Sequence, residues 1–190
     1  LQYITQNSPE KIKELKKFNK PIFYDGKFFD IKNTLVESIR SLKDLNVSYA
    51  TVHLLNGLDS LKAANKIADN INIKLLGVSV LTSFSDEDLA QLGFKDQVKQ
   101  QVLRLIKIAD KAGLHGVICS PLEIKMIKEI APNLKCFTPG IRQDENKDDQ
   151  KRTMNAKQAL DAGSDCLIIG RPITNGDPKK NIQEIISTLK

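Results

Sequence analysis

The sequence predicts an α/β protein on a parallel sheet, of the (β/α)8 TIM barrel class, and three observations carry that expectation. Short β-branched or apolar runs alternate with helical-period segments along the whole chain. The unusual polar residues fall at or just beyond the C-terminal ends of those runs, the face on which parallel barrels build their active sites. A chain of 190 residues, 41% hydrophobic and 27% charged, can bury a real core as one domain. An open doubly wound sheet would place ligands only near a switch point, whereas polar residues stand at or just beyond the ends of all six runs here. The barrel is therefore the better reading.

The six runs are Pro21–Asp25, Ser48–Leu54, Ile73–Leu81, Gly116–Cys119, Leu134–Thr138 and Cys166–Gly170. Ser8-Pro9 opens the first helix, serine as N-cap and proline at the first helical position. Asn33 is the expected cap of the second helix, whose Leu35, Val36, Ile39, Leu42 and Leu45 form one apolar face. Ser120-Pro121-Leu122-Glu123 has capping-box spacing, Asp177-Pro178 starts the last helix, and Gly113 and Gly163 stand where helices should stop. Eight units make a barrel, so about two are unaccounted for. Barrel phosphate sites follow strands seven and eight, and the best phosphate candidates here follow the last two runs. Residues 1–190 are thus expected to be one barrel domain carrying strands three to eight, with the first two units missing from the chain.

Composition narrows the function classes. No stretch has the apolar length of a membrane span, and the N-terminus lacks a basic-then-apolar signal pattern, so cytoplasm is the expected compartment. The net charge of +6 comes from lysines scattered over every helix, with only 10 Tyr and Phe and no Trp. That is a solvated surface, not a nucleic-acid footprint. Cys119, Cys136 and Cys166 each sit in an apolar run without C-x-x-C spacing, which predicts buried reduced thiols.

Two constellations carry chemistry. Asp25-Gly26-Lys27-Phe28-Phe29-Asp30 places two carboxylates around an ammonium at a strand end. This suits a lysine kept charged, a proton donor instead of a Schiff-base nucleophile; a surface ion pair is the blander meaning of the same triplet. The second combines Thr138-Pro139-Gly140-Ile141-Arg142, the polar stretch 143–152 with Asp149-Gln150, and Gly170-Arg171-Pro172. Glycines let backbone N–H groups approach a phosphate and arginine supplies forked donors, so a phosphomonoester fits. His53 ends a run, where a pocket role competes with a hydrogen-bonded structural one, and His115 reads as structural.

Together the segment Phe23–Thr34, the strand end Ser79–Ser83, Cys119-Ser120, Thr138–Arg142 with Asp149-Gln150, and Gly170–Thr174 resemble the bacterial-type orotidine 5′-monophosphate decarboxylases, in register over essentially the whole chain. The resemblance implies cofactor-free and metal-free decarboxylation of orotidine 5′-monophosphate to UMP in pyrimidine biosynthesis, by a homodimer. Asp25 and Lys27 would face the substrate, with Lys27 protonating C6, while Asp30, Ile31 and Thr34 would reach the partner's site. Thr82 would contact the pyrimidine, Pro139 lie beside the base, and Arg142, Gln150, Gly170 and Arg171 hold the phosphate. The chain departs from the family pattern in having Gly26 at a bulky position, Lys32 at a proline, and no glycine soon after Thr138–Arg142. It also carries neither the family's first-strand aspartate nor its second-strand lysine. The competing readings are a related barrel enzyme that binds Mg²⁺ and processes a sugar phosphate, separable by its response to EDTA, and a non-catalytic phosphate-binding barrel.

Overall fold

Helices and parallel strands alternate through the computed structural model, which describes residues 2–142 and 153–189. Its contacts divide the chain into two units, Leu1–Val78 with Ile108–Gly116, and Ser79–Lys107 with Val117–Lys190.

In the first unit, α1 (Gln2–Gln6) and α2 (Pro9–Lys13) precede β1 (Phe23–Phe28), α3 (Lys32–Arg40), β2 (Tyr49–His53), α4 (Leu58–Asn70) and β3 (Lys74–Val78). The strands neighbour one another in the order β1-β2-β3. β2 and β3 pair in unbroken parallel register from Tyr49–Lys74 to His53–Val78. Helix α3 buries Leu35 and Ile39, and Leu42 and Leu45 continue the apolar face in a 3-10 turn over Ser41–Leu45; Val36 is only half covered. Helix α4 packs on α3 and buries Leu61, Ala64 and Ala68, residues spaced by three or four as one helix face requires. Its buried Asn65 is satisfied by donating to the Gly113 carbonyl at 3.0 Å.

The second unit holds α5 (Asp86–Gln91), most of α6 (Val98–Lys111), most of β4 (Gly116–Ile118), α7 (Ile124–Ile130), β5 (Lys135–Thr138), α8 (Ala156–Asp161), β6 (Cys166–Leu167), α9 (Arg171–Thr174) and α10 (Pro178–Ser187). The order is again sequential, β4-β5-β6, with parallel pairs Phe137–Cys166 and Thr138–Leu167. Ile141, Ala156, Ala159 and Ile185 form a buried cluster, with Leu167 and Ile169 packed against it. Among the described residues, no helix is long and apolar enough to cross a membrane.

The expected punctuation is largely present. Pro9 starts α2 after Ser8, Ser120 and Glu123 form a reciprocal capping box, Asp177 accepts from the first N–H groups of α10, and Gly113 and Gly163 end helices at positive φ. Five details differ. β1 spans Phe23–Phe28 instead of Pro21–Asp25, because its irregular end still pairs with β2 at Phe28–Val52. Asn33 does not cap α3: Ile31 occupies that position, and the Asp30 carboxylate takes the Ile31 N–H at 2.7 Å. β3 ends at Val78 instead of Leu81, because Ser79 turns its hydroxyl to the Ile118 carbonyl at 3.1 Å and the chain then turns at Leu81–Phe84. β6 ends at Leu167, since beyond Ile168 the backbone no longer pairs with β5. Cys119 and Cys136 are buried as expected but Cys166 is exposed, because it opens the short β6, whose residues are not enclosed.

Candidate active site

The end of β1 does not follow regular strand geometry. Between the pairings Tyr24–Ala50 and Phe28–Val52, β1 takes four steps to two on β2, so two extra residues bulge from the strand. Lys27 lies in this bulge with φ of 47°, the left-handed region that costs a non-glycine residue about 1–3 kcal/mol. Three hydrogen bonds hold it there. The Lys27 N–H donates to Thr51 Oγ1 at 2.8 Å, the Thr51 hydroxyl donates to Asp25 Oδ1 at 2.9 Å, and Lys27 Nζ donates to Asp25 Oδ2 at 2.5 Å. Thr51 is fully buried, while the Lys27 and Asp25 side chains remain 40% and 33% exposed. The base of the network is anchored and its charged head stays accessible.

Gly26 separates the two ions, and its lack of a side chain has a local cause. The Tyr24 and Phe28 rings stack across it, nearly parallel with centroids 5.8 Å apart. A Cβ at Gly26 would lie 3.0 Å from an atom of each ring. The aromatic neighbours fill the space that a side chain at Gly26 would take.

Asp30 follows immediately and is held by a different residue. Asn56 Nδ2 donates to the carbonyls of Phe28 at 2.9 Å and His53 at 2.7 Å, and Asn56 Oδ1 accepts the Asp30 N–H at 3.0 Å. The clamp fixes the turn from which Phe29, Asp30 and Ile31 project, all exposed, with Ile31 73% exposed at the start of α3. Thr34 is exposed in the first turn of α3. His53 packs its ring against Phe29, with centroids 5.6 Å apart. Its Nδ1 accepts the Leu55 N–H at 3.4 Å. Burial first, and then the Lys27 charge, push the His53 imidazole below its ordinary value, which favours its neutral form.

In the second unit, Thr82 is half-buried in the turn after β3. Pro139 and Gly140 follow β5, and Gly140 has φ of 81°, a turn that a side chain would strain. This turn lets Met154 N–H reach the Gly140 carbonyl and Arg142 N–H reach the Met154 carbonyl, so Ile141 and Met154 form a parallel bridge. Arg142 Nη1 donates to the Ile141 carbonyl at 2.8 Å. Gly170 and Arg171 are exposed at the start of α9, where the Gly170 carbonyl accepts the Ile173 N–H. A cavity of about 440 Å³ is lined by Ile141 and Arg142, by Ile169 and Pro172, and by Lys157 and Glu184. Arg142 lines it, whereas Gly170 and Arg171 do not, although their neighbours Ile169 and Pro172 do; Glu184 places a carboxylate on the wall. Gln150 lies outside the described residues.

Two residues that shape the first unit's centre, Thr51 and Asn56, do not stand out in the sequence. A hydroxyl between Ala50 and Val52 in an apolar strand was the available signal for Thr51, because a buried hydroxyl must find partners. Asn56 carries no pattern of its own, since its role depends on how the following turn folds back on β1.

Sequential parallel β/α units, a lysine–carboxylate centre at one strand end, and glycine–arginine segments after the last two strands define the class as a parallel β/α-barrel enzyme. The chain belongs to the orotidine 5′-phosphate decarboxylase / HUMPS family, whose model matches residues 1–185. It is 42% identical to an orotidine 5′-phosphate decarboxylase of Wolbachia pipientis subsp. Culex pipiens, over 100% of this chain and 84% of that protein. It is 40% identical to one of Lawsonia intracellularis, over 100% of this chain and 85% of the relative. The crystal structure of the Lactobacillus acidophilus orotidine 5′-phosphate decarboxylase superposes with a TM-score of 0.84 at 34% identity, covering 96% of this chain and 81% of the other. The Pyrococcus horikoshii orotidine 5′-phosphate decarboxylase gives 0.74 at 26% identity, covering 95% and 80%. The α/β fold class is thus that of the (β/α)8 barrel decarboxylases.

Proposed function

We propose that this chain, as one barrel domain, converts orotidine 5′-monophosphate to UMP in pyrimidine biosynthesis, with Lys27 as the proton donor and no metal or organic cofactor. The observation that carries the reading is the Asp25–Lys27 pair, presented from a strained strand end in a chain about 40% identical to named decarboxylases along its length. The family description spans more than one activity; the named relatives favour the decarboxylase arm.

In this mechanism the bond between C6 and the carboxylate breaks, carbon dioxide leaves, and the electron pair stays on C6. The Lys27 ammonium stabilises that charge and transfers one proton to C6; water then restores the proton to Lys27. At ~4 Å and an effective dielectric near 20, one ion pair supplies about 4 kcal/mol. Large enzymatic accelerations need roughly 8–23 kcal/mol, so the remainder comes from positioning and from binding energy at the remote phosphate. Arg142, Gln150, Gly170 and Arg171 are the phosphate-holding residues of this reading, Thr82 contacts the pyrimidine, and Pro139 lies beside the base.

The active form is a cytoplasmic homodimer in which Asp30, Ile31 and Thr34 enter the partner's site. Support comes from the projecting turn: Phe29, Ile31 and Leu55 are large apolar side chains left exposed around Asp30. Carboxyl-labelled orotidylate should release labelled carbon dioxide and leave an equal amount of UMP, in EDTA as well as without it; sugar-phosphate turnover abolished by EDTA would overturn the reading. Mixing and reassociating the inactive variants Lys27→Ala and Asp30→Asn tests the shared site. Each hybrid dimer then has one intact site, and about a quarter of wild-type activity should return; no recovery would place Asp30 in its own subunit's site.

A further inference from the structure

We propose that Thr51 is the positioning residue of this centre: its buried hydroxyl sets where the Lys27 ammonium is delivered. The inference rests on the decarboxylase reading for its kinetic consequences, though not for its geometry. Thr51 lies in the middle of β2, fully buried, and its one side-chain oxygen is used twice, accepting the Lys27 N–H and donating to Asp25 Oδ1.

Those two bonds grip opposite ends of one ion pair. The first fixes the Lys27 backbone in the left-handed conformation from which its side chain starts. The second fixes the rotation of the Asp25 carboxylate on which Nζ ends, since Asp25 Oδ2 takes the ammonium while Oδ1 takes the hydroxyl. A lysine stem is flexible and leaves its ammonium free to sweep unless both ends are held. A proton donor has to lie within hydrogen-bond reach of the atom it protonates, and a misplacement of an ångström costs on the order of a hundredfold in rate. The bulge takes Lys27 out of the regular strand register, and its N–H goes to the Thr51 hydroxyl. Thr51 touches no substrate in this scheme; it acts through Lys27 and Asp25.

The test is Thr51→Val, which keeps the side-chain shape and removes the hydroxyl, beside Thr51→Ser, which keeps the hydroxyl, both in the full-length protein. Thr51→Ala replaces the valine variant if valine does not fold. The kcat of the hydroxyl-free variant should fall about ten- to hundredfold, the weight of a hydrogen bond to a charged group, with the serine variant within about threefold of wild type. UMP affinity, measured by titration, should stay unchanged in both, because the proposed phosphate contacts belong to the other unit. A crystal structure of the hydroxyl-free variant should show Lys27 out of its left-handed conformation or the Asp25 contact broken. Near-wild-type kcat in that variant, or kcat and UMP affinity lost in proportion with no rescue by serine, would overturn the proposal. If wild type does not turn over orotidylate, the decarboxylase reading fails, and the crystal structure alone decides the role of Thr51: an unmoved Lys27 and an intact Asp25 contact would overturn it.

Discussion

Two aspartate–lysine clusters in this chain use the same chemistry for opposite ends. In the first unit, Asp25 meets one lysine at the C-terminal end of β1, in a strained bulge, with the ammonium 40% exposed. In the second, Asp165 stands just before β6 and meets two, Lys128 at 2.7 Å and Lys135 at 3.0 Å, while also accepting the Cys136 N–H at 2.8 Å. Burial works against the Asp165 charge, but the hydrogen bonds from Lys128, Cys136 and Lys135 outweigh it and hold the carboxyl down at about 2. Asp165 is saturated by neighbours and knits strand to helix; Lys27 keeps donor capacity in hand. What separates a structural ion pair from a chemical one here is the capacity left unspent, not the pairing itself.

Breaking each cluster should separate activity from stability. Lys27→Ala should lower kcat by at least about a hundredfold to ten-thousandfold, the range for loss of a general acid. Its denaturation midpoint should barely move, because a partly exposed pair contributes only about 0–1 kcal/mol. Arg171→Ala or Arg142→Ala should weaken UMP binding about tenfold to a hundredfold, read by titration, as loss of a charge-assisted contact to phosphate.

Asp165→Asn should do the reverse of Lys27→Ala, keeping kcat and costing about 2 kcal/mol of stability at neutral pH. The sign follows from linkage. The folded carboxyl sits at about 2 against 3.8 when unperturbed, so the stabilisation is present above pH 3.8 and is lost as pH falls through 2. Urea unfolding at a series of pH values should show that acid-sensitive component in wild type and lack it in the variant. The smallest effect is expected at Gly26→Ala, where the added carbon presses on the Tyr24 and Phe28 rings. It should lower stability by about 1 kcal/mol, and a larger fall in kcat than in stability would show that the bulge itself is tuned.

Most strands and helix starts were legible because they rest on local chemistry: Ser8-Pro9, Ser120 with Glu123, and Asp177-Pro178 act within a few residues of themselves. The charged segment Asp25–Asp30 was legible as a cluster of unlike charges after an apolar run. Its geometry was not, because the bulge arises from pairing with β2 and the left-handed Lys27 depends on a hydroxyl 24 residues away. The N-terminus of α3 was misplaced for a related reason. Asp30 and Asn33 are both good capping residues, and the clamp from Asn56, 26 residues from Asp30, fixes the turn in which Asp30 takes the Ile31 N–H. The exposure of Cys166 depends on how short β6 is, which an apolar run does not reveal.

The central claim is that Lys27 supplies the proton in a metal-independent decarboxylation. Its most direct measurement is the initial rate of orotidylate absorbance loss by wild type and Lys27→Ala at equal concentration, each with and without EDTA. The account predicts wild-type turnover unaffected by EDTA and lowered at least about a hundredfold in the variant. A Lys27→Ala rate close to that of wild type, or wild-type turnover that EDTA removes, would contradict it.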